Sequence, residues 1–81
     1  MGYRLEGRKV VGIKQTIKAV KNDIVEEVYV AKDVEQKVIE PLIQLAKQKS
    51  LELVYIDTMN ELGKLCGIDV GASVAAELKK Q

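Results

Sequence analysis

Val28-Tyr29-Val30-Ala31 is an unbroken apolar run of mostly β-branched and aromatic residues, ended abruptly by Lys32-Asp33. A strand with one wet face alternates apolar and polar residues; a continuous run of this composition reads as a strand covered on both faces. Downstream, Asp33 followed three residues later by Gln36 has the form of a capping box and opens a helix to about Lys49. Pro41 interrupts that helix, and because its ring clashes with the preceding turn, either a kink or a helix start close to Pro41 is expected. Leu53-Val54-Tyr55-Ile56 is the next strand, and Thr58 with Glu61 caps a short helix that stops at Gly67. Ala72 to Leu78 has the alanines of a helix but stands last in an alternating series, and is read as strand. Upstream, Lys9-Val10-Val11-Gly12 is a short strand. Ile13, Ile17, Val20 and Ile24 then form one apolar stripe on a helix ending near Asn22.

The order β-α-β-α-β-α-β describes an α/β fold, a three-layer α/β/α sandwich whose crossovers should be right-handed. With 81 residues, the span 1–81 is expected to be a single domain with one modest core. The hydrophobic fraction of 47% and charged fraction of 31% are those of a globular protein. No stretch approaches the ~20 apolar residues needed to cross a bilayer, and no basic segment leads into a long apolar run. Met1-Gly2 lacks the Ser or Thr of a myristoylation signal, Glu6 standing in its place. A cytoplasmic protein with no membrane partner is expected.

Cys66 is the only cysteine and there is no histidine, so an intrachain disulfide and a thiolate metal cluster are excluded, as are Cys-His and Ser-His pairs. Neither a metal nor a cofactor is expected, and no glycine-rich phosphate or dinucleotide signature occurs.

The net charge of +1 conceals an asymmetry. Residues 1–21 carry six basic side chains, Arg4, Arg8, Lys9, Lys14, Lys18 and Lys21, against Glu6, a net of +5; the other sixty carry seven basic and eleven acidic, a net of −4. Such a split is how an electrostatic footprint for phosphate looks in sequence. Lys14, Lys18 and Lys21 fall at i, i+4 and i+7, opposite the apolar stripe, where like charges repel, and Lys14 meets the positive end of the helix dipole. This pattern is either a solvated lysine face or, with Gly12 before the bare helix start, a site for phosphate and base edges. In Gly67-Ile68-Asp69-Val70-Gly71, Ile68 and Val70 either turn into the core or stay exposed to meet a flat partner such as an unstacked base. Gly63, costly inside a helix, suggests that something passes closely over that helix, be it a partner or neighbouring packing. Cys66, among Leu62, Leu65 and Ile68, reads as a buried structural thiol. Asp33 and Asp57 follow the carboxyl ends of strands, where α/β ligand sites occur, yet each is placed to cap the next helix.

Gly12-Ile13-Lys14-Gln15-Thr16-Ile17-Lys18 resembles the Gly-x-Asn-Glu-x-x-Lys segment of archaeal ribosomal protein L7Ae. Leu62-Gly63-Lys64-Leu65-Cys66-Gly67-Ile68-Asp69-Val70 resembles its Leu-Gly-(basic)-x-x-Gly-(Ile/Leu)-Glu-Val segment. Val30-Ala31-Lys32-Asp33 and the Ala-rich end add to a similarity that spans essentially the whole chain and is closest to short bacterial L7Ae-like proteins. The resemblance implies a mixed four-stranded sheet between helices and a noncatalytic, ribosomal-protein-like RNA-binding protein. Its target would be the kink-turn, an RNA helix bent sharply by a bulge and tandem sheared G·A pairs. Its partner would be structured RNA, with ribosome association, and a monomer is expected. By the same resemblance Gln15 and Lys18 with Lys14 read the G·A pairs, and Ile68, Asp69 and Val70 cover the bulged nucleotides. Gly12, Lys21, Gly63 and Lys64 complete the RNA-binding set. Lys14 replaces the family Asn and Gln15 the Glu. Gln both donates and accepts while Lys attracts phosphate, so binding should persist with altered salt dependence. Asp69 is one methylene shorter than the family Glu.

Two rivals stand beside this reading: a protein-interaction module on the same fold, and a small enzyme centred on Asp33 and Asp57. If the two weak signals form one surface, the Gly12 turn and the Gly67 to Gly71 loop should lie side by side at one edge of the domain.

Overall fold

A computed structural model describes residues 8–79, so Arg4 and Glu6 of the basic N-terminal quarter lie outside the described residues. The elements alternate as β1 (Lys9–Val11), α1 (Ile13–Lys21), β2 (Val25–Ala31), α2 (Gln36–Gln48), β3 (Glu52–Ile56), α3 (Met59–Leu65) and β4 (Val74–Leu78). The alanine-rich end is therefore strand, and it lies inside the sheet, in the order β1-β4-β2-β3. β4 pairs antiparallel with β1 and β2, and β2 pairs parallel with β3. Ala75 and Ala76 are fully buried on opposite faces of that strand, so their small side chains serve close approach of helices from both sides. Because β1, β2 and β3 run in one direction, their carboxyl ends and the start of β4 gather at one end of the sheet.

β2 behaves as its composition requires. Val28 and Val30 pack with Ala19, Val20, Ile39 and Leu42 beneath α1 and α2, while Tyr29 and Ala31 pack with Leu62 and Cys66 beneath α3. The sheet thus divides the apolar interior into two clusters and forms the middle of three layers. Burial of a side chain such as Leu42 or Leu62, both fully enclosed, contributes about 1.5–3 kcal/mol. Cys66 lies in the α3 cluster, where burial pushes its thiol pKa up.

All three helices end alike, with a left-handed residue followed by an amide that reaches back five positions. Ile24 N donates to Ala19 O at 3.3 Å, Leu51 N to Ala46 O at 2.9 Å and Ile68 N to Gly63 O at 3.0 Å. The left-handed positions are Asp23, Ser50 and Gly67. Lys49 Nζ lies 2.8 Å from Asp23 Oδ1 and joins the ends of α1 and α2. This hydrogen bond, reinforced by the lysine charge, holds the Asp23 carboxyl below its ordinary range. A depressed carboxyl contributes stability at neutral pH that is lost as acid protonates it in the folded state.

Three local expectations are corrected. The α1 stripe buries Thr16, Ala19 and Val20, with Ile13 and Ile17 only partly covered; Ile24 falls beyond the helix, 37% exposed, because the chain turns left-handed at Asp23. Asp33 does not cap α2, whose N-cap is Glu35 without a side-chain bond. Pro41 stands inside α2, which removes the alternative of a helix start at Pro41. The carbonyl it leaves unbonded, that of Lys37, belongs to an exposed residue where water can serve it.

Thr16 Oγ1 is fully buried and has no hydrogen-bond partner among the described residues. Thr16→Val, which keeps the shape and removes the stranded hydroxyl, is expected to raise stability by about 1–2 kcal/mol. Ser50→Gly should add about 1 kcal/mol by relieving a left-handed side chain. Urea unfolding checks both, as a shifted midpoint at constant slope.

Candidate nucleic-acid interface

At the end of β1, Gly12 adopts a φ of 100°, a value that disfavours any side chain, and turns the chain directly into α1. Its N–H donates to Val74 O at 3.0 Å and its carbonyl accepts from Thr16 N at 3.0 Å. Open space surrounds the position its Cβ would occupy. Among the described residues no side chain caps α1 and its first turn holds no acid, so the amides of Ile13, Lys14 and Gln15 face outward without a helical partner. Lys14 and Gln15 are exposed beside them. Lys14, Ile17, Lys18, Lys21 and Asn22 line a shallow groove along the helix, and among the described residues none of these lysines is in an ion pair. Lys18 and Lys21 occupy the last turn, where the dipole favours them; only Lys14 stands against it.

The second candidate segment is built by α3. Thr58 caps this helix, its Oγ1 accepting from Glu61 N at 3.0 Å. Gly67 reverses the chain, which then folds back over the helix. A Cβ on Gly63 would collide with the carbonyl of Val70, and one on Gly71 would stand 3.2 Å from Met59 Cβ. What passes over Gly63 is thus the chain's own loop, beneath which the glycine is buried. The alternatives for the two apolar loop residues divide between them: Ile68 turns partly into the cluster beneath α3, while Val70 is 69% exposed. Asp69 and Lys64 are exposed alongside.

The two segments share one end of the sheet. Gly12 is bonded to Val74, the first residue of β4, and the loop reaches β4 through Ala72 and Ser73, whose carbonyl accepts from Ala31 N at 2.9 Å. The structure therefore brings the Gly12 turn, with Lys14 and Gln15, to the end of the sheet where the loop carrying Ile68, Asp69 and Val70 rejoins β4. Lys18 and Lys21 lead away from it along α1, and Lys64 marks the far end of α3. Two side chains read as simple caps have other partners: Asp57 Oδ1 lies 3.2 Å from Lys32 Nζ, and Asp33 Oδ1 accepts from Met59 N. Nothing in the local sequence signals that second bond, which spans 26 residues.

Gly63→Ala should displace the loop from α3 and cost about 2 kcal/mol or more, at the scale of overpacking a filled site. Gly12→Ala meets no neighbour and should cost only the backbone strain of a φ, ψ region open essentially to glycine, about 1–3 kcal/mol, with the loop over α3 undisturbed. Thermal unfolding of both variants checks the two costs.

A sequence model of the ribosomal protein L7Ae/L30e/S12e/Gadd45 family matches residues 4–81. The chain is 52% identical over 78 residues to an RNA-binding protein of Caldanaerobacter subterraneus, covering 96% of this chain and 95% of that one. It is 48% identical over 71 residues to an RNA-binding protein of Halalkalibacterium halodurans, covering 88% of this chain and 85% of the relative. A solved structure, the Giardia lamblia 15.5kD RNA binding protein, superposes with a TM-score of 0.83 at 26% identity, over 90% of this chain and 62% of that one. These relatives belong to a non-enzymatic family, which removes the reading of Asp33 and Asp57 as a catalytic pair. The sequence match along nearly its whole length and the shared fold place this chain in the ribosomal protein L7Ae/L30e/S12e/Gadd45 family.

Proposed function

We propose that this chain binds structured RNA and recognises the kink-turn, with ribosomal RNA as the first target to test. The observation that carries the reading is the junction of two unlike surfaces at one end of the sheet. One is the uncapped start of α1 with Lys14 and Gln15, and the other is the loop presenting Val70. Exposed amides and ammonium groups suit phosphate and base edges, and an exposed apolar side chain suits the face of an unstacked base. Gln15 and Lys18 with Lys14 then read the G·A pairs, while Ile68, Asp69 and Val70 cover the bulge. Lys21 extends the contact along the RNA backbone, and Lys64 adds charge beside the loop. One copy of the chain supplies both surfaces, so a monomer and a single domain suffice.

The lysines act through charge and the loop acts through contact, which separates their effects. Lys14→Ala or Lys18→Ala should weaken binding and reduce the slope of log affinity against log salt by about one ion each. Val70→Ser should weaken binding with the slope preserved. Gln15→Ala should cost ~1–3 kcal/mol on a kink-turn with intact G·A pairs and much less where those pairs are changed. Titration of the purified variants against both RNAs at several salt concentrations is the check. Equal affinity of the unsubstituted protein for the two RNAs would reduce the function to general phosphate attraction, and no binding to either would favour a protein partner.

A further inference from the structure

Asp33 serves a helix other than its own. Its Oδ1 accepts the N–H of Met59, the first residue of α3, at 2.9 Å. Met59 is also where the returning loop is attached. Its carbonyl accepts from Ala72 N at 3.0 Å, and Gly71 runs so close that a Cβ on it would stand 3.2 Å from Met59 Cβ. The other end of the loop is fixed to the same helix by the Ile68 to Gly63 hydrogen bond and by Val70 lying on Gly63. Helix and loop are thus one body, and the Asp33 carboxylate ties its leading end to the β2–α2 connection. The parallel tie between Lys32 and Asp57 joins side chains that are 57% and 73% exposed, and such pairs constrain little. The Asp33 bond is exposed as well, but a carboxylate accepting a backbone N–H is charge-assisted and directional, and it acts on the backbone of α3 itself.

We propose that Asp33 is a positioning residue for RNA recognition, setting the placement of Ile68, Asp69 and Val70 through Met59. The proposal rests on the RNA-binding reading and assigns Asp33 more than a capping role. A cap contributes to stability alone. A positioning contact governs the share of affinity that the loop supplies and leaves the share supplied by Lys14 untouched.

The test is a set of double-mutant cycles, read as affinity for a kink-turn RNA at a temperature where circular dichroism shows each variant folded. Asp33→Ala should weaken binding about tenfold with an unchanged salt slope. Asp33→Asn, which keeps an oxygen acceptor in place, should restore most of that loss. Asp33→Glu keeps the charge but carries the carboxylate past the Met59 amide; it should resemble the alanine variant and replaces it should alanine prevent folding. Combined with Val70→Ser, the Asp33 substitution should add less than about twofold, whereas combined with Lys14→Ala the two losses should multiply. Multiplying losses with Val70→Ser, or full affinity in the Asp33 variants, overturns the proposal. If the unsubstituted protein binds neither the intact nor the altered kink-turn RNA, the RNA-binding reading itself has failed; if it binds but Val70→Ser and Lys14→Ala leave affinity intact, the assigned interface is wrong and the proposal falls with it.

Discussion

The start of β4 is the point on which the rest of the molecule depends. Within two residues it accepts the Gly12 N–H on Val74 O and the Ala31 N–H on Ser73 O, fastening the turn into α1 and the end of β2 to one strand. This arrangement requires β4 to lie between β1 and β2, antiparallel to both, although it is last in sequence. It also requires side chains small enough for helices to close on both faces, which Ala75 and Ala76 supply. The segment just before β4 is the loop over α3, so the same strand that completes the sheet delivers the loop to the end where α1 begins.

Much of this was legible from the chain alone because its signals are local. The continuous apolar run at Val28 to Ala31 marks a strand covered on both faces, and Thr58 with Glu61 marks a helix start that the structure realises through the Thr58 hydroxyl. The features that sequence could not give are those in which a residue acts at long range. Asp33 has the local form of a cap for α2, and only the folded chain shows its carboxylate on Met59. Gly63 announced a close neighbour without naming it, and the neighbour is the chain's own Val70. Ile68 and Val70 are alike in composition, yet one turns toward the cluster beneath α3 while the other is exposed, a choice fixed by the left-handed turn at Gly67.

The candidate interface combines two kinds of physical chemistry on two separately built supports. The α1 start is held by a backbone hydrogen bond and a glycine turn, and its cations are unpaired among the described residues. Charge of this kind attracts phosphate over a distance and is screened by salt. The loop over α3 contributes shape, and its position depends on close contacts at Gly63, Gly71 and Met59. Long-range attraction from one half and short-range fit from the other would let a protein of +1 net charge bind a polyanion without binding all polyanions alike.

The central claim is that both halves meet the same RNA. Amide chemical-shift mapping of the isotope-labelled protein during titration with a kink-turn RNA tests it most directly. The account predicts concerted shifts at residues 12–18 and 67–71 with a common dissociation constant, and little change on the outer face of α2 at Lys37, Glu40 and Gln44. Shifts confined to the lysines of α1, with the loop over α3 unaffected, would contradict it.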